Sequence, residues 1–133
     1  MKRVIPGLPM QLPVFAAPMF LISGPDLVLA ACKAGIIGAF PTPNARPIDV
    51  LESWMKQITE GLAQARDTQG ADTVGPWCAN LVTHSSNTRL PEDLELIARY
   101  KPPIVVTALG SPKPAIPIVQ AYGGLVFADV TSI

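Results

Sequence analysis

Between Trp77 and Ala108 the chain reads WCANLVTHSSNTRLPEDLELIARYKPPIVVTA. This stretch opens with one short apolar run, Trp77 to Val82, and closes with another, Ile104 to Ala108, each of strand length. Between them Pro91 stands where a helix tolerates proline, in the first turn, and Glu92 and Asp93 suit the positive end of the helix dipole. The spacing predicts a helix from Pro91 to about Tyr100, with Leu94, Ile97 and Ala98 turned inward and Pro102-Pro103 as its stop. Two strands apolar on both faces and joined by a helix make a βαβ unit, whose strands run parallel and must be covered.

The same alternation extends in both directions. Upstream, Val14 to Ala17 and Ile36 to Phe40 read as strands; downstream, Leu125 to Ala128 reads as another. Pro25 to Ala34 reads as a helix, with Ser23-Gly24 as possible caps and Gly35 placed to end it. Leu51, Trp54, Met55, Ile58 and Leu62 repeat at helical spacing, with Glu52, Lys56 and Glu60 on the opposite side. A last helix, Ile116 to Ala121, is expected to be short because Pro112, Pro114 and Pro117 crowd its start. The expectation is an α/β fold, a parallel β/α barrel of the TIM type that is incomplete, with about five strands and four helices. Residues 1–133 form one unit with no linker, the amino-terminal portion of a barrel domain that in full runs to about 250 residues. Only Val130 to Ile133 follow the last strand, so the chain reads as cut there, with open sheet edges prone to self-association.

Lysine plus arginine and aspartate plus glutamate each number 10, a balance that points away from nucleic acid or an anionic membrane as the main partner. Lys2 and Arg3 precede a charge-free run from Val4 to Pro25 that resembles a leader or membrane segment. Pro6, Pro9, Pro13 and Pro18 break any helix there, each at about 3 kcal/mol, so a soluble, cytoplasmic protein is expected. Cys32 and Cys78 lie in apolar surroundings without metal-ligand spacing and read as buried, reduced thiols; no metal site is expected.

In a parallel β/α sheet, ligand-binding groups sit where strands end and loops begin. The first strand exits through Ala17, Pro18, Met19 and Phe20, a turn suited to a flat aromatic ligand or, equally, to apolar packing. The second exits through Pro41, Thr42, Pro43 and Asn44, where Thr42 and Asn44 read best as caps of the next helix. Asn80 sits inside an apolar strand and needs hydrogen-bond partners, from a heterocyclic ligand or from neighbouring backbone. His84, the single histidine, follows that strand without an acidic or second histidine partner and reads as a hydrogen-bonding loop residue. Asp129 ends the fifth strand, where a carboxylate can hold a ligand or cap a helix. No glycine-rich phosphate loop of the GxGxxG or GxxxxGK[ST] kind is present.

Four segments carry a family resemblance: Ala16 to Pro25, Ala34 to Thr42, Asn80 to Leu90, and Ala121 to Thr131. In their order and spacing, with Thr88 and Ala128 left out of the match, they resemble the amino-terminal part of nitronate monooxygenases, formerly 2-nitropropane dioxygenases, which are FMN-dependent β/α-barrel oxidoreductases. An Ala-Pro-Met turn also occurs in related flavin barrels such as enoyl reductases. The resemblance implies FMN as cofactor, with Ala17, Pro18 and Met19 against the isoalloxazine ring and Asn80 bonded to its polar edge; Asp129 is a further cofactor-binding candidate. It implies oxidation of an alkyl nitronate with dioxygen to a carbonyl compound and nitrite. The family's substrate-activating histidine and FMN-phosphate segment come from later in the chain. His84 does not match that histidine, and Ala128 stands where many relatives have one, so no catalytic residue is assigned. Two other readings are an enoyl reductase-like flavin enzyme and a non-catalytic half-barrel that assembles with a partner.

Overall fold

The computed structural model describes residues 5–132; Met1, the Lys2 and Arg3 that precede the charge-free run, its first residue Val4, and Ile133 lie outside the described residues. The strands are β1 (Phe15–Ala16), β2 (Ile37–Pro41), β3 (Trp77–Val82), β4 (Ile104–Ala108) and β5 (Leu125–Ala128). The helices are α1 (Pro25–Lys33), α2 (Ile48–Gln69), α3 (Leu90–Tyr100) and α4 (Ile116–Ala121), with a 3-10 turn at Thr42–Asn44.

All strand pairs are parallel, in the order β1-β2-β3-β4-β5. Because the order never reverses and parallel crossovers are right-handed, every helix falls on the same face of the sheet. The other face is concave. Phe15 of β1 and Phe127 of β5 belong to the two edge strands, yet their rings meet across it at 5.9 Å between centroids. That contact makes the sheet a curled part-barrel, as expected, and not a flat doubly wound sheet.

Strand alternation divides the core in two. Outward residues Phe40, Ala79, Leu81 and Val105 pack beneath the helices with Val28, Leu51, Met55, Ile58, Leu62 and Ile97. Phe40, fully buried, meets Trp54 of α2 edge-on at 5.7 Å and stacks with Trp77 at 6.4 Å. Inward residues Ile37, Ala39, Cys78 and Ile104 form a second cluster, with Leu8, Met10, Phe15, Val106 and Phe127 packed against it.

Several element boundaries differ from expectation for local reasons. Strand β1 is shorter than Val14 to Ala17, because Pro18 has no amide to donate, though Val14 O still accepts the Ile37 amide at 2.9 Å. The Ile36 amide bonds back to Ala31 O, so β2 starts one residue later than expected. Helix α2 runs on to Gln69, where Gly70 turns the chain at φ 96. Helix α3 turns Leu94 and Ile97 to the core as expected, but Ala98 is exposed, and Asp93 and Leu96 are buried beside Ile97. Asp93 is paired there with Arg89, which donates to its carboxylate at 2.7 Å. Among the described residues no helix is long and apolar enough to cross a membrane.

Candidate functional site

The carboxyl ends of β1, β3, β4 and β5 open onto one cleft of about 440 Å³. Phe15, Ala17, Pro18, Val106 and Phe127 line it, and Asn80 and Asp129 are its polar side chains. Parallel register builds the centre of this surface: Asn80 pairs with Val106, and Val106 with Phe127, so the three share one row across the concave face. Four of the sequence candidates, Ala17, Pro18, Asn80 and Asp129, are thus brought together from separate strands. Met19 stands beside Pro18 but outside the lining, with 43% of its surface exposed.

Asn80 donates one amide hydrogen from Nδ2 to Val106 O at 3.1 Å, which ties it to β4. That bond answers the backbone half of the question its position raised. Its Oδ1 is an acceptor at the cleft wall, and no buried polar side-chain atom among the described residues lacks a partner. Asp129 donates its backbone amide to Thr107 O at 3.0 Å, which holds the exposed residue at the mouth. Its carboxylate also borders a neighbouring hollow of about 550 Å³ formed by Ala108 to Gly110 and Val130 to Ser132.

The loop from β1 to α1 borders this cleft at Ala17 and Pro18 and then carries four consecutive exposed apolar residues, Met19, Phe20, Leu21 and Ile22. Leu21 adopts φ 64, a left-handed conformation that costs a non-glycine residue about 1–2 kcal/mol. Three hydrogen bonds from one side chain hold it. Asn44 Oδ1 accepts the Leu21 amide at 2.9 Å, and Asn44 Nδ2 donates to Met19 O and Ser23 O, both at 2.9 Å. Ser23, buried, closes the loop by accepting the Met19 amide on Oγ at 2.8 Å. The capping role expected of Thr42 and Asn44 is therefore corrected, while Gly24 is the N-cap of α1 as expected. Neither Thr42 nor Asn44 caps α2, whose N-cap is Pro47, and Gly24 caps α1 without a side-chain bond.

Thr42 belongs to a second brace. Arg89 donates from Nε to Asp93 Oδ1 at 2.7 Å, from one terminal nitrogen to Ala45 O at 2.6 Å and from the other to Thr42 O at 2.8 Å. Thr42 Oγ1 reaches Asp93 Oδ2 at 3.4 Å and Asn87 Nδ2 reaches it at 3.5 Å. Burial lifts the Asp93 carboxyl above its ordinary range, and Arg89, Asn87 and Thr42 pull it part of the way back. Among the described residues this buried ion pair locks the loops after β2 and β3 together at the same end of the sheet as the cleft.

His84 is exposed; its Nδ1 accepts the Ser86 amide at 3.1 Å and lies 2.8 Å from Ser86 Oγ, a local loop contact as expected. Cys32 and Cys78 are buried and free, and burial pushes their thiols up to about 11 and about 12. Among the described residues no group of histidine, cysteine and carboxylate side chains could hold a metal ion. Phe15, Val106 and Phe127 were not singled out from the sequence. Their signal is strand parity, since Val106 lies in register with Asn80, but register is set by pairing and not by local composition.

Fold and cleft together define a part-barrel of parallel β/α units with a ligand-sized hollow at its carboxyl edge. Among solved structures it is similar to FabK from Thermotoga maritima, with a TM-score of 0.73 and 20% sequence identity over 92% of this chain. That likeness supports the barrel fold; the chain spans 35% of the length of that protein. No family model matches the chain, and no curated protein does.

Proposed function

We propose that the chain supplies the flavin-ring half of an FMN-dependent oxidoreductase, of the type that oxidises alkyl nitronates with dioxygen to a carbonyl compound and nitrite. The observation that carries this reading is the convergence of Ala17, Pro18, Asn80 and Asp129 on one cleft. At about 440 Å³ the cleft lies within the roughly 300–1,000 Å³ of ordinary ligand pockets. Its chemistry fits a flat heterocycle: apolar walls, one amide with an acceptor to spare, and a carboxylate at the mouth.

In this reading Ala17 and Pro18 offer an apolar surface to the ring, with no amide hydrogen at Pro18 left to satisfy. Met19 flanks them. Asn80, anchored to β4 through Nδ2, offers Oδ1 to a ring donor. Asp129 accepts hydrogen bonds from the cofactor's hydroxyl groups. FMN supplies the redox chemistry, passing electrons from substrate to dioxygen; the protein binds, orients and shields.

Titration of FMN into the chain, followed by flavin fluorescence, tests the reading. Saturable quenching is expected, with Asn80→Ala weakening it roughly tenfold, the equivalent of about 1.4 kcal/mol for one hydrogen bond to a buried partner. No quenching at millimolar FMN would sink it. Reduction of an enoyl thioester through the same flavin with a nicotinamide cofactor suits this cleft equally. Anaerobic bleaching of bound flavin by a nitronate or by NADH separates the two.

A further inference from the structure

We infer that Asn44 is a positioning residue for the cleft: it sets the shape of the Met19–Ser23 loop and through it the rim formed by Pro18 and Met19. Its effect on a ligand rests on the flavin reading above, but its effect on the loop does not. Four exposed apolar side chains give the loop no core to pack against, and Leu21 holds a conformation that leucine avoids. A segment with so little apolar burial opens readily unless polar contacts hold it.

The Met19 amide bonds to Ser23 Oγ and the Ile22 and Ser23 amides bond to Met19 O within the loop, and every side-chain bond that reaches it from outside comes from Asn44. Asn44 is 23 residues from Leu21 in sequence, and its amide satisfies one donor and two acceptors of the loop at 2.9 Å each. An asparagine is suited to this because a single planar group accepts and donates at once; aspartate only accepts, and serine is too short to span three backbone atoms. Asn44 itself is fixed by the 3-10 turn Thr42–Asn44, which follows β2 directly. The Arg89 bonds to Thr42 O and Ala45 O clamp that turn from its other side. The Met19–Ser23 loop is thus held by the neighbouring strand's loop as well as by its own bonds.

Amide hydrogen exchange on the ligand-free chain tests this, with FMN titration of the same samples as the second arm. In Asn44→Ala the Leu21 amide is expected to exchange about tenfold faster or more, the loss expected for one hydrogen bond, while β3 and β4 amides keep their protection. FMN affinity is expected to fall about tenfold through higher dissociation, with the visible spectrum of bound flavin altered. Asn44→Asp is the second variant should alanine prevent folding. It retains the acceptor for Leu21, so protection there is expected to survive better than in Asn44→Ala, while the lost donations to Met19 O and Ser23 O still weaken FMN. Unchanged exchange at Leu21 in both variants would overturn the inference. Faster exchange with unchanged FMN affinity would overturn the positioning role and leave only a loop contact. If the unaltered chain binds no FMN, the flavin reading fails by itself, and the exchange arm alone decides whether Asn44 holds the loop.

Discussion

Replacing Arg89 with methionine should show how much of the structure depends on one half-buried guanidinium. The change removes the bond to Asp93 at 2.7 Å and those to Ala45 O and Thr42 O at 2.6 and 2.8 Å. Asp93, 1% exposed, is then left as a buried carboxylate with only Asn87 and Thr42 at long range. Stranding one partner of such a pair costs about 3–5 kcal/mol, a large part of an ordinary domain's stability of about 5–15 kcal/mol. With a urea slope of about 2 kcal/mol/M, the midpoint at pH 7 should fall by about 2 M. The pH dependence supplies a second signature. Asp93 already has its folded-state value raised by burial, so its protonated form is favoured in the fold, and stability is lost as pH rises through that raised value. Without Arg89 the value rises further, and the deficit of the variant should shrink between pH 7 and pH 5 as the carboxyl takes up a proton. Adding Asp93→Leu should recover part of the loss at pH 7. A midpoint shift under about 0.5 M, equal at both pH values, would refute the claim that this pair is buried and braces the two loops.

Both cysteines should be inert in the fold: with thiols pushed up to about 11 and about 12, the thiolate fraction at pH 8 is on the order of one in a thousand or less. Reaction with an aromatic disulfide reagent should be slow until urea is added, when both react; rapid native-state labelling would contradict their burial. Gly75→Ala should lower the melting temperature sharply, because the added methyl carbon would sit 2.0 Å from Ile36 O, a backbone atom that cannot move aside. Gly38→Ala, which meets Val28 O at 2.4 Å, should do the same, whereas Gly123→Ala meets nothing within 4 Å and tests only the cost of its positive φ of 82. Phe127→Ala should cost about 1–3 kcal/mol by removing the ring that meets Phe15 across the concave face, and a neutral result would argue against that curl.

The fold was legible because its determinants are periodic. The stripe Leu51, Met55, Ile58, Leu62 lies buried as its spacing predicts, and the apolar runs of β3 and β4 lie between two packed layers. Errors fall where a polar group overrides the pattern. On α3, the apolar positions alone turn Ala98 inward, but the carboxylate of Asp93 is the buried group, and its partner Arg89 precedes the helix. A charged side chain read as a dipole complement at a helix start proved to be one half of a buried ion pair, a distinction that depends on what lies across the interface and not on helix position.

The candidate site divides along the same line. Strand ends are visible in sequence, so Asn80 and Asp129 could be singled out by polarity against an apolar run, and both line the cleft. The residues that hold the cleft's rim left no such trace. Asn44 resembles a helix cap in every local respect, and only the approach of a loop 21 and 25 residues upstream turns its amide from capping to bracing. Bonds of that span follow from tertiary closure: they form once the β1 and β2 exits lie side by side, which the parallel pairing of Phe15 with Ile37 brings about. Two loops at the carboxyl edge are therefore held in part by a neighbour, Met19–Ser23 by Asn44 and Thr42–Ala45 by Arg89, so a change at either brace should reach the cleft without touching a residue that lines it.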